Sequence, residues 1–406
     1  MMVRSSIIFT AAGSGGHIFA AIATVKAFQS QYPTLAKEIV FVGSTLTMEG
    51  EKRQLPMEER LCGRMGIPFR KIRMGKIQRQ FSLNSIKLFG KIILGFIDAW
   101  KLVSELRPKV VVAFGGYVSF PMIIIGKLFG SKIILHEQTS SIGLVNKLLQ
   151  RLANVVAVTF ETSLPYFKKP AIVVGSPTMF HIYGIKTCDH LLSYLDKSSG
   201  NLLESSTYID KLCWLYDQKG KFPILLMSGG SQGSHFLNDK IRAILAALLK
   251  DMIVVLQVGE NEYYNDFSII QEYVLTLPCD LEKRCILRRF VYEEYGFLMN
   301  TADLFLGRSG ANTVYQVGMN GTPAIFVPIP WVTKNEQYTN AMILQEKGLA
   351  TIIEEQNCTP ELLLATIKEQ IAKIVSNRSK KGAKREPIFP LDADKRLAQE
   401  IGKLAI

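Results

Sequence analysis

The sequence predicts an α/β protein with two Rossmann-like domains, each a parallel sheet covered by helices. Two observations carry this prediction. Short runs rich in β-branched residues alternate with longer stretches of helical spacing along the whole chain, the pattern of strand–helix–strand crossovers. Both halves also contain the same unit, in which a strand runs into a glycine-rich turn and then into a helix. With 406 residues, 48% of them hydrophobic, the chain has apolar material for more than one core.

In chain order, "SSIIFTA", "EIVFVGS", "KVVVAFG", "SKIILHE", "NVVAVTF" and "AIVVGS" read as strands of a first sheet, within a domain spanning residues 1–178. Residues 179–221 mix charges and serines with weak periodicity and read as a linker or insertion. "FPILLMS", "MIVVLQVG", "RCILRRFV", "DLFLGRS", "PAIFVPI" and "LATIIEE" read as a second sheet, in a domain spanning 222–390. Thr359 followed by Pro360 marks the start of a helix. A last amphipathic piece occupies 391–406. Ligands of two such domains are expected in the cleft between them, outside the carboxyl ends of the strands.

The formal charge of +13 favours an anionic partner: nucleic acid, an acidic membrane surface or a phosphorylated substrate. No nucleic-acid-binding module or stacking pattern accompanies the charge, which argues against nucleic acid. The six cysteines are scattered without a CxxC pair and read as reduced thiols. No apolar stretch approaches the ~20 residues of a membrane span, so membrane contact is expected to be peripheral. The segment from Lys76 to Lys101 interleaves Arg79, Lys87 and Lys91 with Leu88, Phe89, Ile92, Ile93, Phe96, Ile97 and Trp100. Such a stretch can rest on an anionic bilayer, pack its apolar face on the sheet, or do both.

Six short segments carry candidate chemistry. In "GGSQGS", Gly230, Ser231, Gln232 and Gly233 lead into a helix, where backbone N–H groups and the positive helix end suit a diphosphate; a plain tight turn is the alternative. In "RSGANTV", Arg308, Ser309, Gly310, Ala311, Asn312 and Thr313 gather at a helix start that could receive a nucleotide, with Gln316 one turn further in; an N-cap role for Ser309 and a surface ion pair for Arg308 are the alternatives. Glu336 and Gln337 in "EQYTNA" could meet sugar hydroxyls or form a solvated helix face. In the first half, Gly13, Ser14, Gly15, Gly16 and His17 in "GSGGH" can converge with Tyr117 of "FGGYVS" and with His136, Glu137 and Gln138 of "LHEQ" at one rim of the sheet. "GSGGH" lacks the third glycine of a dinucleotide fingerprint, and no acid ends the next strand, which favours a substrate-side turn.

In combination and order, "GSGGHIFAA", "FGGYVSFP", "LHEQ" with "GLVNK", "GGSQGS", "RSGANTV", "GTPAIFVPIP" and "EQYTNA" resemble the MurG family of peptidoglycan glycosyltransferases, glycosyltransferase family 28. The resemblance implies a two-domain GT-B fold. It implies inverting transfer of N-acetylglucosamine from UDP-N-acetylglucosamine to the 4-hydroxyl of undecaprenyl-diphospho-muramoylpentapeptide, with no metal or cofactor required. It further implies peripheral attachment to an anionic surface at the cytoplasmic face of the plasma membrane, contact with other cell-wall synthesis proteins, and a last helix that returns to the first domain.

By position, Ser231 and the N–H groups of Gly230 to Gly233 would meet the donor diphosphate, Arg308 and Val291 the uracil, and Ala311 to Thr313 the nucleotide and phosphates, with Ser309 and Gly310 also on the donor side. Gln316 would meet the ribose, and Glu336 and Gln337 the sugar. Gly13 to Gly16, Tyr117, Glu137 and Asn146 fall on the acceptor side, with His17 as the candidate base. The family pattern is broken where Thr139 replaces asparagine, Met179 arginine, Gln316 glutamate and Glu336 glutamine. Rival readings are a transferase acting on another lipid, a UDP-sugar epimerase, and a catalytically weakened precursor-binding scaffold.

Overall fold

The computed structural model describes residues 7–45, 55–74, 85–178, 187–189, 206–230, 232–259, 263–291, 294–332, 335–381 and 385–406. Ser231 and Met179 of the predicted donor site, and Lys76 and Arg79 of the basic apolar segment, lie outside the described residues, as do the side chains of Lys87, Leu88 and Phe89. The chain forms two compact units, Met1–Met179 with Asp392–Ile406, and Phe180–Leu391.

The first unit holds a parallel seven-stranded sheet: β1 (Ile7–Thr10), β2 (Ile39–Ser44), β3 (Phe69–Ile72), β4 (Val110–Ala113), β5 (Lys132–Glu137), β6 (Val155–Val158) and β7 (Ile172–Val173). The order across the sheet is β3-β2-β1-β4-β5-β6-β7. Its central strands are buried on both faces, as continuous apolar runs require. Ile7 and Phe9 enter one core with Phe28, Phe41 and Leu397, while Ile8 enters the opposite core with Val42, Val103 and Met122. β3 is absent from the sequence prediction. Its FRKI stretch has two exposed basic residues at the sheet edge, which leaves little apolar signal.

The helix Ala393–Ala405 belongs to the first unit and buries Leu397, Ala398, Ile401 and Ala405 in the core shared with the helix Gly15–Gln31. The helix Ser85–Leu106 buries Ala99, Leu102 and Val103 against the sheet. Its other side leaves Ile93 (48%), Ile97 (43%) and Trp100 (52%) exposed, next to exposed Lys91 and Lys101. Trp100 packs edge-on against Phe129, beside Leu128, which is 70% exposed. Packing on the sheet thus accounts for one side of this helix and leaves the basic, apolar other side exposed. Among the described residues no helix is long and apolar enough to cross a membrane.

The second unit has a parallel six-stranded sheet: β8 (Ile224–Ser228), β9 (Ile253–Gln257), β10 (Cys285–Arg288), β11 (Leu304–Gly307), β12 (Ala324–Phe326) and β13 (Ala350–Ile352). The order is β10-β9-β8-β11-β12-β13. Part of the 179–221 segment is the helix Ser206–Asp217, which lies in this unit with Leu212 and Leu215 buried. Cys188 and Cys213 are disulfide-bonded, which corrects the expectation of six free thiols. Scattered spacing holds no information about which cysteines a folded segment brings together. Thr359 caps the helix Pro360–Lys381 as its sequence indicated, its Oγ1 accepting from the Leu362 N–H at 3.2 Å.

Candidate active site

All strands of each sheet are parallel, so the turns after them gather at one edge. In the first unit the chain leaves β1 toward β2 on one side and later returns to β4 on the other. In the second it leaves β8 toward β9 and returns to β11. These are the points where an open parallel sheet parts its connections and leaves a crevice. The paired glycine turns of each unit stand at its own switch point.

At the first switch point, Gly116 has φ +80°, and a Cβ there would lie 2.1 Å from the Ala12 carbonyl oxygen. Only glycine lets the β4 turn press against the β1 turn in this way. Tyr117 is buried, and its hydroxyl donates to Ser44 Oγ at 2.9 Å, tying the β4 turn to the end of β2. Of the predicted acceptor residues, Gly13 is exposed and Ser14, Gly15 and Gly16 are partly so. Ser14 caps the following helix, its Oγ accepting from the His17 N–H at 3.4 Å.

That cap sets His17 in the first turn, where its Nδ1 lies 2.8 Å from Gln138 Oε1 at the end of β5. Burial holds the imidazole below its ordinary pKa, against the opposing pull of the Glu137 charge and the Gln138 bond. The Glu137 carboxylate is taken up within its own turn. Its Oε1 accepts from the Thr139 N–H and lies 3.0 Å from the Thr139 hydroxyl, and its Oε2 accepts from the Gly143 N–H at 2.8 Å and Asn146 Nδ2 at 2.9 Å. Thr139, one of the departures from the family pattern, donates to this carboxylate through its backbone N–H, while its hydroxyl lies closer to the Ser141 carbonyl, at 2.8 Å. Asn146 is buried and also donates to the His136 carbonyl at 3.3 Å. His136 is fully buried, donates from Nε2 to the Gly175 carbonyl at 3.0 Å, and has its pKa pushed down to about 4 by burial.

At the second switch point, Gly233 has φ +81°, and a Cβ there would stand 1.9 Å from the Val258 carbonyl oxygen. The loop is closed by Gly233 N–H donating to the Gly230 carbonyl at 3.1 Å, and Gln257 Nε2 donates to the same oxygen at 3.0 Å. Gln232 is partly exposed and Val291 is buried just beyond β10. The helix Ala311–Asn320 starts at Gly310 with no side chain capping it, so none of its first N–H groups is taken by a cap side chain. Asn312, Thr313 and Gln316 are partly exposed along its start. Ser309 is fully buried; its carbonyl accepts from Asn340 Nδ2 at 3.2 Å, which anchors the helix Glu336–Gln345 to this turn. Glu336 and Gln337 are partly exposed, and Gln337 Oε1 accepts from the Ile329 N–H at 3.1 Å.

The Arg308 guanidinium is engaged within the second unit. It is buried, donating from Nε to Ser234 Oγ at 3.0 Å and from Nη1 to the Val327 carbonyl at 2.8 Å, with Glu355 Oε2 2.5 Å from Nη1. Ser234 in turn caps the helix His235–Leu249, accepting from the Leu237 N–H. Arg308 therefore braces the start of the helix His235–Leu249. Sequence reading missed Ser234 and Glu355, together with Gln138 as the partner of His17. Gln138 is visible in the His-Glu-Gln turn, and Ser234 stands at a helix start, but Glu355 has no local signal.

Two family models cover these units in order, the glycosyltransferase family 28 N-terminal domain over residues 7–158 and the family 28 C-terminal domain over residues 224–397. The chain belongs to glycosyltransferase family 28. This family 28 transferase is similar to curated proteins named UDP-N-acetylglucosamine–N-acetylmuramyl-(pentapeptide) pyrophosphoryl-undecaprenol N-acetylglucosamine transferase. The relative from Thermoanaerobacter sp. (strain X514) is 29% identical over 363 residues, 89% of each chain. That from Desulfitobacterium hafniense (strain Y51) is 29% identical over 371 residues, 90% of each chain. The crystal structure of Acinetobacter baumannii MurG matches over 98% of this chain and 99% of that one, with TM-score 0.66 and 24% identity. UDP-GlcNAc 2-epimerase from Neisseria meningitidis, bound to UDP-GlcNAc, matches over 98% of this chain and 100% of its own at TM-score 0.62 and 14% identity. These likenesses establish the GT-B fold of the transferase.

Proposed function

We propose that this transferase moves N-acetylglucosamine from UDP-N-acetylglucosamine to the 4-hydroxyl of undecaprenyl-diphospho-muramoylpentapeptide, with inversion at the anomeric carbon. The observation that carries the reading is the alignment over nine-tenths of the chain with relatives named for this transfer. The furnishing of both switch points supports it.

In the proposed step the acceptor oxygen forms a bond to the anomeric carbon while the bond from that carbon to the UDP oxygen breaks. The electron pair leaves on the diphosphate, and the acceptor proton passes to His17. Burial keeps His17 neutral near pH 7, the state a base needs. The leaving charge is met by the Gly230–Gly233 loop and the start of the Ala311–Asn320 helix, which has no N-cap side chain and where N–H groups and the helix end favour negative charge without a metal. Arg308 acts one step removed, by holding Ser234 and with it the phosphate-loop helix.

The Gly13–Gly16 turn takes the acceptor diphosphate. The exposed Ile93, Ile97, Trp100 and Leu128, with Lys91 and Lys101, rest on an anionic membrane surface at the cytoplasmic face, where the lipid acceptor is presented. Contacts with other cell-wall synthesis proteins belong to the same reading.

The test is to incubate the purified protein with UDP-N-acetylglucosamine and the lipid-linked acceptor, with and without EDTA. Disaccharide product in both reactions is expected. No product refutes the transfer, and product lost only with EDTA refutes the metal-free step. His17→Ala with normal turnover refutes the base.

A further inference from the structure

We propose that Gln138 is the positioning residue of this site, holding His17 as the Nδ1–H tautomer so that the Nε2 lone pair is the one presented to the acceptor hydroxyl. The inference rests on the reading of His17 as the base.

A neutral imidazole has one N–H and one lone pair, and only the lone pair can take a proton. Which nitrogen carries which is decided by the partner of the other. Here Nδ1 faces the Gln138 side-chain carbonyl oxygen at 2.8 Å. An oxygen can only accept, so this nitrogen must donate. The proton is then spent on Gln138, and Nε2 is left unprotonated.

Gln138 is well suited to hold this arrangement. It is buried, only 3% exposed, and stands directly after β5. Gly115 brings the β4 turn against the ring, since a Cβ there would stand 3.2 Å from His17 Cε1. The ionisable groups around the ring divide the remaining work. Glu137, taken up by Thr139, Gly143 and Asn146, favours the imidazolium that forms when the proton arrives. His136 stays neutral above about pH 4 and adds no competing charge at neutral pH. A neutral amide at position 138 orients the imidazole without raising its basicity as far as a carboxylate would. The same division of labour, an acceptor on one ring nitrogen and chemistry at the other, operates in hydrolase triads.

The experiment uses the full chain labelled with nitrogen-15 histidine. Long-range proton–nitrogen spectra of the five imidazoles report each tautomer, and His17→Gln assigns the His17 signals. The wild type should show His17 as Nδ1–H. In Gln138→Leu, His17 should shift to Nε2–H or to a mixture, with kcat lowered by roughly 10²-fold or more and KM for UDP-N-acetylglucosamine unchanged. Gln138→Glu keeps an acceptor at the same place. It should keep the Nδ1–H tautomer, retain more activity than Gln138→Leu, and move the acidic limb of the kcat–pH profile upward; circular dichroism and melting confirm that both variants fold.

An Nε2–H tautomer in the wild type overturns the proposal, as does a Gln138→Leu variant with unchanged tautomer and kcat. Normal turnover by His17→Gln instead brings down the base reading, and the catalytic sense of this proposal with it. An inactive His17→Gln beside an unaffected Gln138→Leu brings down the proposal alone.

Discussion

Replacing His136 with glutamine should remove a defined part of the acid sensitivity of the first unit. The imidazole is fully buried, its Nε2 donates to Gly175, and its pKa is pushed down to about 4 from an ordinary 6.5. Unfolding returns it to the ordinary value, so between the two pKa values the unfolded chain binds the extra proton and the folded one does not. Stability must then rise with pH through this window and fall as pH drops from about 6.5 towards 4. Each pH unit crossed inside the window is worth about 1.4 kcal/mol, so the loss from this group amounts to about 2 kcal/mol by pH 5 and about 3 kcal/mol by pH 4. Burial lowers His17 in the same direction; the two imidazoles interact, so the difference between the proteins reports the loss of His136 together with any change it causes in His17. Urea melts between about pH 7.5 and about pH 4 provide the assay. Trp214→Phe and Trp331→Phe in both proteins leave Trp100 of the first unit as the reporter. His136→Gln should start less stable at neutral pH and close the gap on acidification by those amounts. Parallel pH dependences in the two proteins would show that His136 does not titrate as its burial requires.

Three further outcomes follow from the geometry. Glu355→Ala leaves the buried Arg308 charge uncompensated and should cost about 3–5 kcal/mol in a urea melt of the second unit, with weaker UDP binding; coincident melts would show that the pair braces nothing. Gly233→Ala puts a Cβ 1.9 Å from the Val258 oxygen and should weaken UDP binding by calorimetry at least tenfold, while acceptor-lipid binding is retained. Trp100→Glu combined with Ile97→Glu should abolish sedimentation with anionic vesicles, and Lys91→Glu or Lys101→Glu should weaken it by about 1 kcal/mol or more each; retention of vesicle binding by the double variant would place the membrane surface elsewhere.

Most of the strands were legible because each is a short apolar run, a signal contained within the run itself. β3 escaped because an edge strand with exposed Arg70 and Lys71 lacks that signal. The helix Ser206–Asp217 escaped within the weakly periodic 179–221 segment. The glycine turns could be found one by one, but their pairing at the switch points depends on strand order, which local periodicity does not encode. Partnerships across the sheet were hidden for the same reason. Gln138 lies 121 residues from the His17 it bonds, and the pairing of Arg308 with Ser234 and Glu355 joins three separate stretches of the chain. A charged residue at a turn announces its charge in the sequence, while its neutralising partner is a property of the fold.

The return of the helix Ala393–Ala405 to the first unit sets an order of events during translation. The stripe of the Gly15–Gln31 helix that it covers, around Ile22 and Phe28, emerges from the ribosome early, and its cover is made only after the whole second unit. The second unit can close while the first still has an open apolar seam, a partly covered state prone to aggregation until the helix Ala393–Ala405 is made. A premature stop anywhere in the second half would therefore damage the first unit as well, stranding an otherwise assembled sheet with uncovered core.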